Sequence, residues 1–160
     1  MIPTTTADWT AWEPDRDIDS CCAWAESVIF TAAIKNQFDE LGTVESEWFG
    51  QWKDRVLWEG MRTVIAANDG VFEPLHVRDW LFEREPGYAQ DLLETLADYG
   101  DLRLRDEALS RAVGTLRRAG ERRMVMRWAQ EIIELCQSAA PITSIRDLAR
   151  QTPVTEGGAV

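Results

Sequence analysis

The sequence predicts an all-α domain: a compact bundle of five or six helices ending in a long helical arm. Three observations predict it. Apolar residues recur at intervals of three and four along most of the chain. No segment alternates convincingly at period two for more than a few residues, and no internal repeat occurs. The polar residues of the stretch Asp101 to Ser138 are mostly Arg, Glu and Gln, long side chains that favour helix.

Residues 1–18 read as a loose lead-in, since Pro3, Pro14 and clustered Asp argue against helix. Trp9 and Trp12 in it are costly to expose and suit either the bundle or a partner's groove. A first helix is expected from Asp19 to about Phe38, capped by Asp19 or Ser20, with Trp24, Val28, Ile29, Ala32 and Ala33 on its apolar side. A turn at Gly42-Thr43 leads to a second helix from about Ser46, where Glu45 and Glu47 suit the helix dipole. Its buried side is Phe49, Trp52, Val56, Leu57, Met61, Val64 and Ile65, and Asn68-Asp69-Gly70 stops it. Glu73-Pro74 opens a short helix with Leu75, Val77, Trp80 and Leu81 apolar. Pro86-Gly87 breaks the chain, and Tyr88, Leu92, Leu96 and Tyr99 line the next helix as far as Gly100.

The arm, 101–139, carries Leu109, Val113 and Leu116, then Met124, Trp128, Ile132 and Leu135 at helical spacing. Val125, Ala129, Ile132 and Cys136 make an overlapping stripe. Gly114 and Gly120 each weaken a helix by about 1 kcal/mol relative to alanine, and suit a bend or a close helix contact. After Pro141, Ser144 and Asp147 form a capping pair for one short turn or two, and a disordered tail is expected from Gln151 to Val160.

At 160 residues the chain suits one domain with its own core. Its net charge of -11 disfavours general, salt-driven DNA binding by the isolated chain. The charge is uneven, with the acid mainly before residue 101. Eight of the 17 basic residues sit on the arm: Arg103, Arg105, Arg111, Arg117, Arg118, Arg122, Arg123 and Arg127. The three cysteines, Cys21, Cys22 and Cys136, have neither a disulfide framework nor a zinc spacing, and read as reduced, buried thiols of a cytoplasmic protein. Cys21 and Cys22 lie near a helix start, which can lower a thiol pKa, but packing explains them as well. No signal peptide is recognisable, and no apolar run approaches the roughly 18 residues that cross a bilayer.

Sequence support for catalysis is lacking. There is no GxxxxGK[ST] phosphate loop and no Glu-x-x-His pair, His76 is the only histidine, and pairs such as Glu83 with Glu85 read as solvated faces. No cofactor or metal is expected. Two features exceed a bland bundle. One is the count of eight tryptophans, a residue enriched at interface anchor points. Trp24, Trp52, Trp58 and Trp80 suit the core, and Trp128 suits either core or interface. The other is the arginine-rich face of the arm, fit for solubility or for docking an acidic partner.

The order of segments resembles the N-terminal domain of the bacterial replicative DNA helicase of the DnaB type. Asp17-Ile18-Asp19 with Ala25-Glu26-Ser27-Val28-Ile29 is similar to that family's opening. Trp48-Phe49 with Asp54-Arg55-Val56-Leu57-Trp58-Glu59-Gly60-Met61 resembles its second block. Gly70 with Val77 to Leu81 resembles its third, and Arg122-Arg123-Met124 running to Glu131-Ile132-Ile133-Glu134-Leu135 its last long helix, Arg123 standing at a recurrent arginine. The resemblance spans residues 17–138. Departures are Phe30-Thr31 at the family's glycine, Asp54 at its histidine, and Val71-Phe72-Glu73 for its Pro-Ile-Asp piece. The linker helix and motor domain that follow in the family are lacking, as in a fragment or a stand-alone phage protein.

The resemblance implies a non-catalytic interaction and oligomerisation module of DNA replication, ending in a helical hairpin. Its implied partners are copies of itself, a helicase motor chain, and primase or a loader. The helicase-binding domain of a primase, built similarly, is a neighbouring reading. The expected contact surface is Met124, Trp128, Ile132 and Leu135, flanked by Arg117, Arg118, Arg122, Arg123 and Arg127. An alternative of another class is a small acidic inhibitor or DNA mimic acting on a DNA-handling enzyme, but the arginine-rich arm spoils its charge pattern.

Overall fold

The computed structural model describes residues 14–37, 41–99, 104 and 107–153, with side chains from Cys22 onward. Among them the protein is all-α, with six helices and no strand. They are α1 (Pro14–Ile34), α2 (Trp52–Ala67), α3 (Pro74–Arg84), α4 (Ala89–Asp98), α5 (Ala108–Gln137) and α6 (Ile142–Arg150). Two single 3-10 turns, Leu41–Thr43 and Ser46–Trp48, lie between α1 and α2.

Helix α1 begins at Pro14, so residues 14–18 belong to it rather than to a lead-in. Proline is compatible with a first helical turn, where its missing N–H has no intrahelical partner to lose. Trp9 and Trp12 lie outside the described residues. The second helix starts later than its apolar pattern suggests. Ser46–Trp48 makes only a 3-10 turn, Phe49 is extended, and α2 opens at Trp52, leaving Glu45 as the cap of the turn and Glu47 inside it rather than at the α2 start. Phe49 is nevertheless buried. Helix α2 stops at the predicted Asn68-Asp69-Gly70, where Asp69 (φ 53°) and Gly70 (φ 82°) turn left-handed. Helix α3 opens on Pro74 as expected.

The core is built around an aromatic knot. Phe30 stacks on Tyr99 (centroids 4.7 Å apart) and meets Trp58 edge-on (5.9 Å), while Phe49 leans on both Phe30 and Trp58. The buried Trp58 Nε1 donates to the Val44 carbonyl at 3.0 Å. Ile29, Leu41, Leu57, Met61, Val77, Leu81, Leu92 and Leu116 complete the core. Trp58 is the single fully buried tryptophan among the described residues. Trp24 and Trp52 are 44% and 45% exposed and Trp80 is half-buried, against the expectation of core roles for all three. Leu75 and Tyr88 are also exposed, because the apolar residues that α3 and α4 turn fully inward are Val77, Leu81, Ala89, Leu92 and Leu96.

Helix α5 begins at Ala108, so the arm is shorter than 101–139; of residues 101–106 only Leu104 is described, and it is not helical. The helix runs unbroken through Gly114 and Gly120 for 30 residues. Its first half buries Leu109, Ala112, Leu116, Ala119 and Gly120 against the bundle, chiefly against α1. Beyond Gly120 no residue of α5 is fully buried. Helix α6 folds back on this second half as a hairpin. It spans nine residues from Pro141 as cap, with Ser144 and Asp147 inside it rather than pairing as a cap. Cys22 is buried, but Cys136 is exposed on α5, so burial does not extend to every thiol.

Candidate interaction surface

The arm is anchored at its root by small and polar groups. A Cβ on Gly120 would lie 2.9 Å from the Trp48 Cα and 2.8 Å from its Cδ1, so only glycine lets α5 lie this close to the 3-10 turn. One turn further on, the Arg123 Nη2 donates to the Trp48 carbonyl, while its Nε is buried without a hydrogen-bond partner. Sequence reasoning placed Arg123 beside a contact surface; its guanidinium instead reaches back and holds the arm to the bundle. The signal available for this was Gly120 followed by arginine at helical spacing.

Three other elements meet at a buried acid. Asp54 of α2 is 5% exposed and accepts from the Tyr99 hydroxyl at 3.2 Å. Burial pushes the Asp54 carboxyl above its ordinary pKa, and the Tyr99 bond and the nearby Lys53 charge oppose that rise. Tyr99 is itself raised, first by burial, then by the charge of Asp54 and its hydrogen bond, with Glu26 and Asp98 adding to it. The Thr31 hydroxyl faces the carbonyls of Ser27, at 2.7 Å, and of Tyr99. This polar set joins α1 and α2 to the end of α4. Nothing in the sequence pattern singled out Asp54 as buried.

At 100° per residue, the distal half of α5 divides into faces. Trp128, Ile132 and Leu135 share one arc and are half-buried. The Trp128 Nε1 donates to the Leu148 carbonyl of α6 at 3.0 Å. The seam expected to meet another chain is therefore partly taken up within this one, at Trp128. Met124, at the edge of that arc, stays 41% exposed.

A second, outer arc, about a quarter-turn round, is mostly exposed; its Met126 and Ile133 continue the row of buried Ala112 and Ala119 past Gly120, where no residue of the helix is fully buried. It carries Arg111, Arg118 and Arg122, then Val125, Met126, Ala129, Ile133 and Cys136. No Asp or Glu of α5 falls on it. Met126 is 66% exposed, Ile133 47% and Val125 42%. Of the Val125, Ala129, Ile132 and Cys136 stripe read from the sequence, Ile132 falls instead on the Trp128 arc, and Met126 and Ile133 extend the rest. Of the remaining arginines, Arg117 pairs with Glu121 at 3.1 Å, and Arg127 is exposed on another side of the helix.

Fold and surface together define a helical bundle with a hairpin whose outer face is apolar and basic. No family model matches the sequence, and no curated protein matches it. Among the described residues no helix is long and apolar enough to cross a membrane, and no group of three or more His, Cys, Asp or Glu is placed to hold a metal ion.

Proposed function

We propose that the chain is a non-catalytic interaction and oligomerisation module that works through its terminal hairpin, and that its setting is DNA replication. The observation that carries the first part is the outer arc of α5. A chain with a packed core of its own leaves Val125, Met126 and Ile133 in water on one face of a helix. Contiguous apolar surface of that kind marks contact sites. The replicative setting rests on the resemblance of residues 17–138 to the helicase collar domain, with support from the hairpin of α5 and α6. By that resemblance the partners are copies of this chain, a helicase motor chain, and primase or a loader.

Light scattering on the purified chain tests the contact. Met126→Asp with Ile133→Asp lowers the oligomeric mass while the circular dichroism stays helical, since both side chains are exposed. An unchanged mass would remove this face from the interface. Co-elution with a purified replicative helicase or primase from the same source tests the setting, and no shared peak with either protein speaks against it.

A further inference from the structure

We infer that the outer arc of α5 docks on the outer face of α3 of a second copy of this chain, a head-to-tail contact. The inference rests on the proposal that the hairpin is a self-association surface, and it names what the hairpin meets. Helix α3 buries Val77 and Leu81 and leaves an opposite arc of Leu75, Asp79, Phe82 and Glu83 exposed. Leu75 is 56% exposed and Phe82 46%. Asp79 on this second face pairs with the neighbouring Arg78 at 2.8 Å, and Glu83 is the carboxylate it offers to the apolar and basic first face.

Spacing and charge both suit this pairing. Met126 and Ile133 are seven residues apart on α5, as Leu75 and Phe82 are on α3, so each pair spans about 10.5 Å along its helix. Antiparallel, Met126 meets Phe82 and Ile133 meets Leu75. That register carries Arg122, four residues before Met126, to the end of α3 that holds Glu83. The parallel register sends Arg122 beyond the other end of α3, level with the exposed Val71, where the nearest carboxylate is the half-buried Glu73 rather than the exposed Glu83. Pairing two α5 arcs with each other is the competing arrangement. In the antiparallel form that matches Met126 with Ile133, Arg122 stands opposite Gln137, and no carboxylate on either arc compensates Arg111, Arg118 and Arg122. The chain as a whole shows the same complementarity. Residues 1–100 hold 20 of the 28 acidic side chains and 7 of the 17 basic ones. A heterologous contact closes into a ring or continues as an open chain, as its rotation dictates.

Sedimentation equilibrium of the full chain with charge-reversed variants tests the pairing. Arg122 and Glu83 are both exposed, so Arg122→Glu and Glu83→Arg leave the fold intact. Each alone raises the self-association Kd about tenfold, and the double variant in one chain returns it to near the wild-type value. If Glu83→Arg leaves association unchanged while Met126→Asp with Ile133→Asp weakens it, the α3 face is overturned as the occupant and the hairpin reading stands. If the wild-type chain is monomeric at every concentration, both fall.

Discussion

At the residue scale, Asp54 is a carboxylate whose burial works against its charge. It lies buried on α2, and its hydrogen-bond donor is Tyr99. Its folded pKa is raised, so the folded state holds the Asp54 proton more tightly than the unfolded chain does. The stabilisation from this group is therefore full below the unfolded value of 3.8 and is lost as pH rises through the folded pKa. Asp54→Asn keeps an oxygen acceptor for Tyr99 and carries no charge. We expect a higher urea midpoint than wild type near pH 7, a difference that narrows as pH falls toward 4; a lower midpoint at pH 7 would mean the charge itself is needed. Asp54 sits in a mostly apolar stretch of α2, but its burial depends on Tyr99 arriving from the end of α4. No spacing rule anticipates that.

At the scale of elements, the two glycines of α5 have opposite roles. A Cβ at Gly114 would touch only the Arg118 side chain at 3.6 Å, whereas at Gly120 it would collide with the Trp48 backbone. Gly114→Ala should therefore stabilise by about 1 kcal/mol through helix propensity. Gly120→Ala should destabilise by roughly 1–3 kcal/mol despite the same gain, because the arm must move off the 3-10 turn. Thermal unfolding of the pair measures both signs, and equal stabilisation would show that the Trp48 approach is not tight. The hairpin is a second case. Trp128→Ala removes the bond to the Leu148 carbonyl and half-buried ring area, so amides of 142–150 should exchange with deuterium faster while those of α2 do not change. Helical periodicity identified Trp128, Ile132 and Leu135 as one stripe. Whether α6 or another chain covers a stripe is a question of where α6 returns, and Pro141 with a short helix after it does not answer that in advance.

At the scale of the whole molecule, charge is segregated: an acidic bundle and an arm rich in arginine. The net charge of -11 repels duplex DNA even though the arm is basic. Fluorescence anisotropy with a short labelled duplex at physiological salt should show binding weaker than the roughly 10⁻⁴ to 10⁻⁶ M of ordinary non-specific binders. Tight, salt-sensitive binding would mean that the arm's arginines act as a separate local field. The tryptophans fit the same picture of surface use. Trp24 and Trp52 face solvent, and Trp52 packs edge-on against Tyr88 at 5.1 Å on the outside of the bundle.

The sequence by itself determined the helical class, the stops at Asn68-Asp69-Gly70 and Pro86-Gly87, the opening of α3 at Pro74, and the long helix that ends the bundle. These follow from local effects: periodicity of apolar residues, proline and glycine geometry, and helix propensity act within a few residues of one another. Tertiary structure alone decided that α2 begins at Trp52, that Trp24 and Trp52 face water, that Asp54 is buried, that Arg123 holds the arm's root, and that Trp128 belongs to the hairpin. Each of those depends on which surface arrives opposite a residue. Groups 14 to 75 positions apart meet at these sites, as in Trp58 with Val44, Tyr99 with Asp54 and Arg123 with Trp48, and no local pattern encodes such encounters.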